Sequence, residues 1–261
     1  LRRFTLWLCL FIFIPLVPSG LPGQTPTATS KTAPAAQAKP AGAKSGASLL
    51  HPDSLKAKAP DEFEVKFVTT KGDFHLQVTR AWAPQGADRF YNLVKNHFYD
   101  GASFFRVVPT FVVQFGLTGN PAVNKAWTDA NIKDDPVAQS NVAGTITFAM
   151  AGPNTRTTQV FINLGNNARL DASGFAPFGK VTDGMDVVSQ FYGGYGDATT
   201  SHQGEITNEG KAYLDKNFPK LDSIKTATII SPAAAPKAAA AKGTAPAAKS
   251  TPPAAGDKPK P

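Results

Sequence analysis

The segment FFRVVPTFVVQFG, from Phe104 to Gly116, limits the folds open to this chain more than any other stretch. It sets one arginine and one glutamine into an otherwise apolar run, with a proline near its middle. Read with the two-residue period of a strand, Arg106, Val108, Thr110, Val112 and Gln114 share one face; Phe105, Val107, Pro109, Phe111 and Val113 share the other. Pro109 cannot donate to a ladder, so it marks a bend or an edge. Past such a bend Phe111 can turn to the side of Arg106 and Gln114. The expected result is a concave apolar surface carrying one fixed cation and one amide, suited to an uncharged guest the size of a proline ring.

Composition places that surface in one domain. Residues 24–60 and 231–261 are dominated by Ala, Pro, Lys, Ser, Thr and Gly, and such segments bury too little apolar surface to offset chain entropy. Both are expected to be disordered. Residues 61–230 hold nearly all the aromatics. The whole-chain charge of +8 suggests a nucleic-acid binder, but residues 61–230 carry 15 Lys+Arg against 17 Asp+Glu. The basicity belongs to the ends, which read as soluble tethers, and no specific nucleic-acid partner is expected. The beginning reads as an export signal over residues 1–23. Arg2-Arg3 precede an apolar run from Phe4 to Val17, which is shorter than the roughly 20 residues a membrane-spanning helix needs. Cleavage is expected after a residue between Ser19 and Gln24, giving a periplasmic or extracellular protein; an uncleaved leader acting as a membrane anchor is the alternative. Cys9, the one cysteine, lies in that leader, so no disulfide within the mature chain is expected. No metal site is expected either.

Periodicity predicts the main elements. Glu64–Thr70 and Asp73–Val78 flank Lys71-Gly72 as a hairpin. Pro84 to Asn96 predicts a helix with Pro at N1 and Phe90, Leu93, Val94 and His97 on one face. Asp183 to Tyr192 predicts a second short helix, Asn208 to Phe218 a further small one, and Ile224–Ile230 a closing strand. Short strands between Gly/Pro turns point to a mainly β, closed antiparallel barrel.

Three blocks carry a resemblance. The first is FFRVVPTFVVQFG itself. The second runs from Gly144 through Ala149-Met150-Ala151-Gly152-Pro153-Asn154-Thr155 to Gln159-Val160-Phe161-Ile162; the third is Leu170-Asp171 followed by Phe175-Ala176-Pro177-Phe178-Gly179-Lys180-Val181. In this order they resemble cyclophilin-type peptidyl-prolyl cis-trans isomerases, in a bacterial exported form. The resemblance implies an eight-stranded closed barrel capped by two helices, and no cofactor. It implies catalysis by Arg106, Gln114 and Phe111. Val112, Phe161, Leu170 and Phe175 would complete the pocket for the proline ring with Phe111, and Ala149, Met150, Ala151 and Gln159 would line the substrate groove. Taken alone, an arginine on an apolar strand face is more often paired with a carboxylate or snorkelling.

Departures from the family pattern lie at the same place. Arg169 stands where many eukaryotic members have tryptophan, Phe175 roughly where they have histidine, and Phe115 where glycine is usual. Losing the aromatic wall at Arg169 implies weak binding of cyclosporin. The function implied is X-Pro isomerisation in exported clients by a monomer that binds proline-containing polypeptides. A proline-peptide-binding chaperone or scaffold without turnover is the alternative.

Overall fold

The computed structural model describes residues 48–230; the expected signal segment, residues 24–47 of the linker and the 231–261 tail lie outside the described residues. The strands are β1 (Glu62–Thr69), β2 (Asp73–Thr79), β3 (Arg106–Val108), β4 (Val112–Phe115), β5 (Thr145–Phe148), β6 (Val160–Asn163), β7 (Pro177–Asp183) and β8 (Ile224–Ile230). They form one sheet in the order β3-β4-β6-β5-β7-β2-β1-β8, antiparallel throughout. The described α-helices are α1 (Pro84–Lys95), α2 (Pro121–Trp127), α3 (Met185–Ser189), α4 (Gln203–Glu209) and α5 (Lys211–Asn217).

Strand alternation sets the core. Phe63, Val65 and Phe67 of β1 and Phe74, Leu76 and Val78 of β2 point inward, while Lys66–Asp73 and Glu64–His75 pair across the outer face. The expected hairpin is present, with Thr69 Oγ1 donating to Gly72 O across its turn at 2.6 Å. Phe90, Leu93 and Val94 of α1 close one end of the curled sheet, with Phe90 at 4.9 Å from Phe178. Phe191, which follows α3, stacks on Phe104 with centroids 3.9 Å apart.

Three expectations are corrected. The sheet is curled but open, not a closed barrel, because its edge strands β3 and β8 form no ladder. One bridge, Ser103↔Ser223, spans the seam, and the outer edge of β3 is instead met by Gly196 through a bridge to Val107. The caps number more than two, since α2, α4 and α5 also pack on the sheet or on one another. His97 is exposed rather than on the buried face of α1. The helix stops before it: Phe98 N donates to Leu93 O and His97 N to Val94 O, with His97 at φ 61°. That pair of bonds is a left-handed C-terminal cap.

The domain also begins earlier than residue 61. Residues 48–60, expected as linker, lie against α1 and α2. Trp127 Nε1 donates to Leu49 O at 2.8 Å, Asn92 bonds both Ala57 N and Ala57 O, and Asp88 accepts from Ala59 N. Leu49 is 7% exposed and belongs to the main core. Two apolar residues and a few backbone groups suffice here, which is too thin a signal for composition to register. Leu49→Ala is expected to lower stability by about 2 kcal/mol in urea unfolding; an unchanged midpoint would detach this arm from the core.

Candidate active site

The hairpin of β3 and β4 builds the site. Pro109 and Thr110 form its turn, with Thr110 at φ 64° and Phe111 N donating to Val108 O at 3.0 Å. This register pairs Arg106 with Gln114 across the ladder, so both side chains leave the same face. β6 continues the sheet and places Phe161 opposite Gln114. Past β6, the 3₁₀ turn Ala168–Ser173 brings Leu170, and Phe175 follows it with its ring 5.7 Å from that of Phe161.

These residues enclose a cavity of about 200 Å³ lined by Arg106, Phe111, Val112, Gln114, Ala149, Met150, Phe161, Leu170 and Phe175, with Thr200 and Gln203. A second cavity of about 200 Å³ adjoins it, shares Gln114, Ala149, Met150 and Gln203, and adds Ala151, Thr155, Thr157 and Gln159. Every sequence-selected site residue therefore lines one cavity or the other. The first is apolar around Phe111 and Phe161. The second is a polar cleft extending from it.

A hydrogen-bonded row links the two. Arg106 Nη1 donates to Gln114 Oε1 at 3.1 Å, Gln114 Nε2 to Gln159 Oε1 at 2.9 Å, and Gln159 Nε2 to Gln203 Oε1 at 2.9 Å. Gln159 thus reaches Arg106 through Gln114 rather than directly. The amide oxygens of Gln114, Gln159 and Gln203 accept and the amide nitrogens of Gln114 and Gln159 donate onward, which fixes the orientation of those two amides and leaves Gln114 one N–H for a guest. The Gly152-Pro153-Asn154-Thr155 segment is a turn, as its residues suggest, with Thr155 Oγ1 accepting from Ala151 N and Gly152 N.

Asp197, Thr200 and Gln203 were missed in the sequence. All three sit in the 193–223 segment, which docks on the outside of the sheet. Phe105, just before β3, and Leu117, just after β4, lie apart from the main core and pack with Ile206 of α4 and Leu214 of α5. Buried Thr199 donates through Oγ1 to Phe105 O, tying the segment down one residue before Arg106. Asp197 then meets Arg106 Nε at 2.6 Å. The arginine thus has both of its sequence readings at once, a pocket lining and a carboxylate partner. The signal available was Phe105 itself: an aromatic lying apart from the main core needs a cover.

Asp171 holds the far wall. Its carboxylate accepts from Ser140 Oγ and from Asn141 N and Nδ2. Burial pushes its pKa up, but these hydrogen bonds outweigh that and hold it below its ordinary value of 3.8. A depressed carboxylate stabilises the fold above the unfolded-state value, and the contribution is lost as pH falls through the folded one. Below about pH 3.8 the Leu170 wall is expected to loosen, and Asp171→Asn to flatten that part of the acid-unfolding curve. Superimposable acid titrations of the two proteins would refute this.

A family model described as cyclophilin type peptidyl-prolyl cis-trans isomerase/CLD matches residues 64–210. A peptidyl-prolyl cis-trans isomerase of Acinetobacter baylyi is 36% identical over 179 residues, covering 66% of this chain and 93% of its own. Peptidyl-prolyl cis-trans isomerase A of Dickeya dadantii is 35% identical over 131 residues, 48% of this chain and 69% of its own. Among solved structures, a cyclophilin type isomerase of Cryptosporidium parvum aligns at a TM-score of 0.48 and 20% identity, over 65% of this chain and 98% of that one.

Proposed function

The chain belongs to the cyclophilin-type peptidyl-prolyl cis-trans isomerase family, and we propose that it rotates X-Pro bonds in the cavity over Phe111, with Arg106 stabilising the twisted amide. Its relatives are peptidyl-prolyl isomerases, and cyclophilins take proline-containing peptides as substrates. The reaction breaks no covalent bond. Its barrier of about 18–20 kcal/mol is the lost conjugation of the C–N bond, so the enzyme need only bind the twisted state better than either planar one.

In the twisted state the prolyl nitrogen becomes pyramidal and basic. The observation that carries the reading is the guanidinium of Arg106 on the wall of an apolar cavity that also holds Phe111 and Phe161. Its charge persists at any working pH, and Gln114 and Asp197 fix its direction. The proline ring sits against Phe111, Val112, Phe161, Leu170 and Phe175, and Gln114 offers its remaining N–H to the carbonyl side. Residues before or after the proline run along the cleft of Ala149, Met150, Ala151 and Gln159.

The clients are exported proteins. The support is the leader, with Arg2-Arg3 ahead of the apolar run from Phe4 to Val17. The test of the activity is the relaxation of a cis-enriched Ala-Pro peptide in the presence of the full chain. Saturable acceleration supports the reading. Peptide binding without acceleration would make the protein a proline-peptide-binding module instead.

A further inference from the structure

We propose that Arg169 is a specificity-determining residue that takes a carboxylate on the residue beside the substrate proline, so that acidic neighbours are preferred. The inference rests on the reading of the Phe111 cavity as the proline site. Arg169 is exposed, and its guanidinium carbon lies 4.8 Å from the centroid of Phe111, the ring that walls that cavity. Arg106 lies over the same ring at 5.5 Å. Two cations therefore lie over one ring; Arg106 lines the cavity and Arg169 stands outside it, exposed, and they differ in their ion pairing. Arg106 has Asp197, as Arg80 has Asp88 and Arg156 has Asp134 and Asp135. Among the described residues no carboxylate pairs with Arg169. Asp171, two residues on, is committed to Ser140 and Asn141.

The base of Arg169 is fixed while its head is free. Asn167, which is 2% exposed, donates to Phe111 O at 2.9 Å and to Asn163 Oδ1 at 2.8 Å. Asp171 pins the other end of the same 3₁₀ turn. The turn is thus tied to the backbone of the very residue whose ring Arg169 covers. Contact with a ring leaves the guanidinium N–H groups unspent, and their planar fork matches a carboxylate in a bidentate pair. A side chain leaving the proline site over Phe111 passes within reach of that fork.

The test measures kcat/KM of the full chain on matched proline peptides carrying Glu or Gln immediately before or after the proline. At low salt the Glu/Gln ratio is expected at about threefold on the preferred side, the scale of an exposed ion pair, and to fall at high salt through screening. Arg169→Gln should bring the ratio near one, Arg169→Glu should invert it, and Arg169→Lys should keep part of it. A ratio near one in the wild type, or one that survives in Arg169→Gln, overturns the proposal while leaving the proline site standing. Failure to accelerate any of the peptides would overturn the proline site and this proposal with it.

Discussion

Replacing Arg106 with alanine is expected to lower kcat/KM for a neutral Ala-Pro peptide about 100-fold while leaving the protein folded. The magnitude follows from what the group does. A preorganised donor aimed at charge that develops only in the transition state contributes about 100- to 1000-fold in rate, and here the atom to be stabilised is a nitrogen that gains basicity only when the amide twists. Most of the loss should fall on kcat, because ground-state contacts of the ring with Phe111 and Phe161 survive the change. Stability should barely move. The side chains of Arg106 and Asp197 are 23% and 61% exposed, and an ion pair that open contributes under about 1 kcal/mol. Arg106→Lys keeps a charge but not the fork held between Gln114 and Asp197, so it should recover only a small part of the rate. Peptide relaxation beside urea unfolding of both variants decides the matter. A fall of less than fivefold in a folded Arg106→Ala protein would remove the guanidinium from the centre of the mechanism.

The hairpin that carries Arg106 was legible because its information is local. Pro109 fixes the bend and the strand period sets Arg106 and Gln114 on one face, and the observed register pairs these two residues. The pocket wall beyond it was not legible from period, since Phe161, Leu170 and Phe175 arrive from separate elements and look like ordinary core residues. Only the resemblance selected them. What neither route supplied was how the 193–223 segment docks, although the small helix expected over Asn208 to Phe218 is present as α5, Lys211–Asn217. Its hold on the sheet depends on Phe105 and Leu117 meeting Ile206 and Leu214, 89 to 109 residues later in the chain, and nothing in the segment's own pattern names that partner. Asp197, Thr200 and Gln203 were invisible for the same reason. The open seam follows from a related fact: β3 has three residues, and one bridge to Gly196 occupies its edge at Val107.

The largest loss of stability is expected from Asp135→Ala, about 4 kcal/mol, because this one carboxylate serves three donors. α1 starts without a side-chain cap of its own: Ala83 precedes it and offers none. Asp135 arrives from a loop 49 residues away to accept from Gln85 N and Gly86 N, both at 2.9 Å. That leaves it acting as the missing N-cap, with its charge at the favourable end of the helix. The same carboxylate takes Arg156 Nη1 at 3.0 Å, and both side chains are nearly sealed from solvent, at 3% and 4% exposed. Removing it strands a guanidinium whose other partners are Asp134 and Lys133 O, and uncompensated buried charge is the costly outcome for such a pair. Asp135→Asn can still accept from α1 but loses the charge, so a smaller loss of about 2 kcal/mol is expected. The consequence should reach the substrate cleft. Arg156 stands between Thr155 and Thr157, which line the cleft, and three residues before Gln159. A loosened Arg156 should therefore raise KM for longer peptides more than it lowers kcat. Urea unfolding of the full chain, read beside peptide kinetics below the transition, tests both parts: a loss under 1 kcal/mol would show that Asp134 alone can neutralise Arg156 and that α1 holds without its borrowed cap.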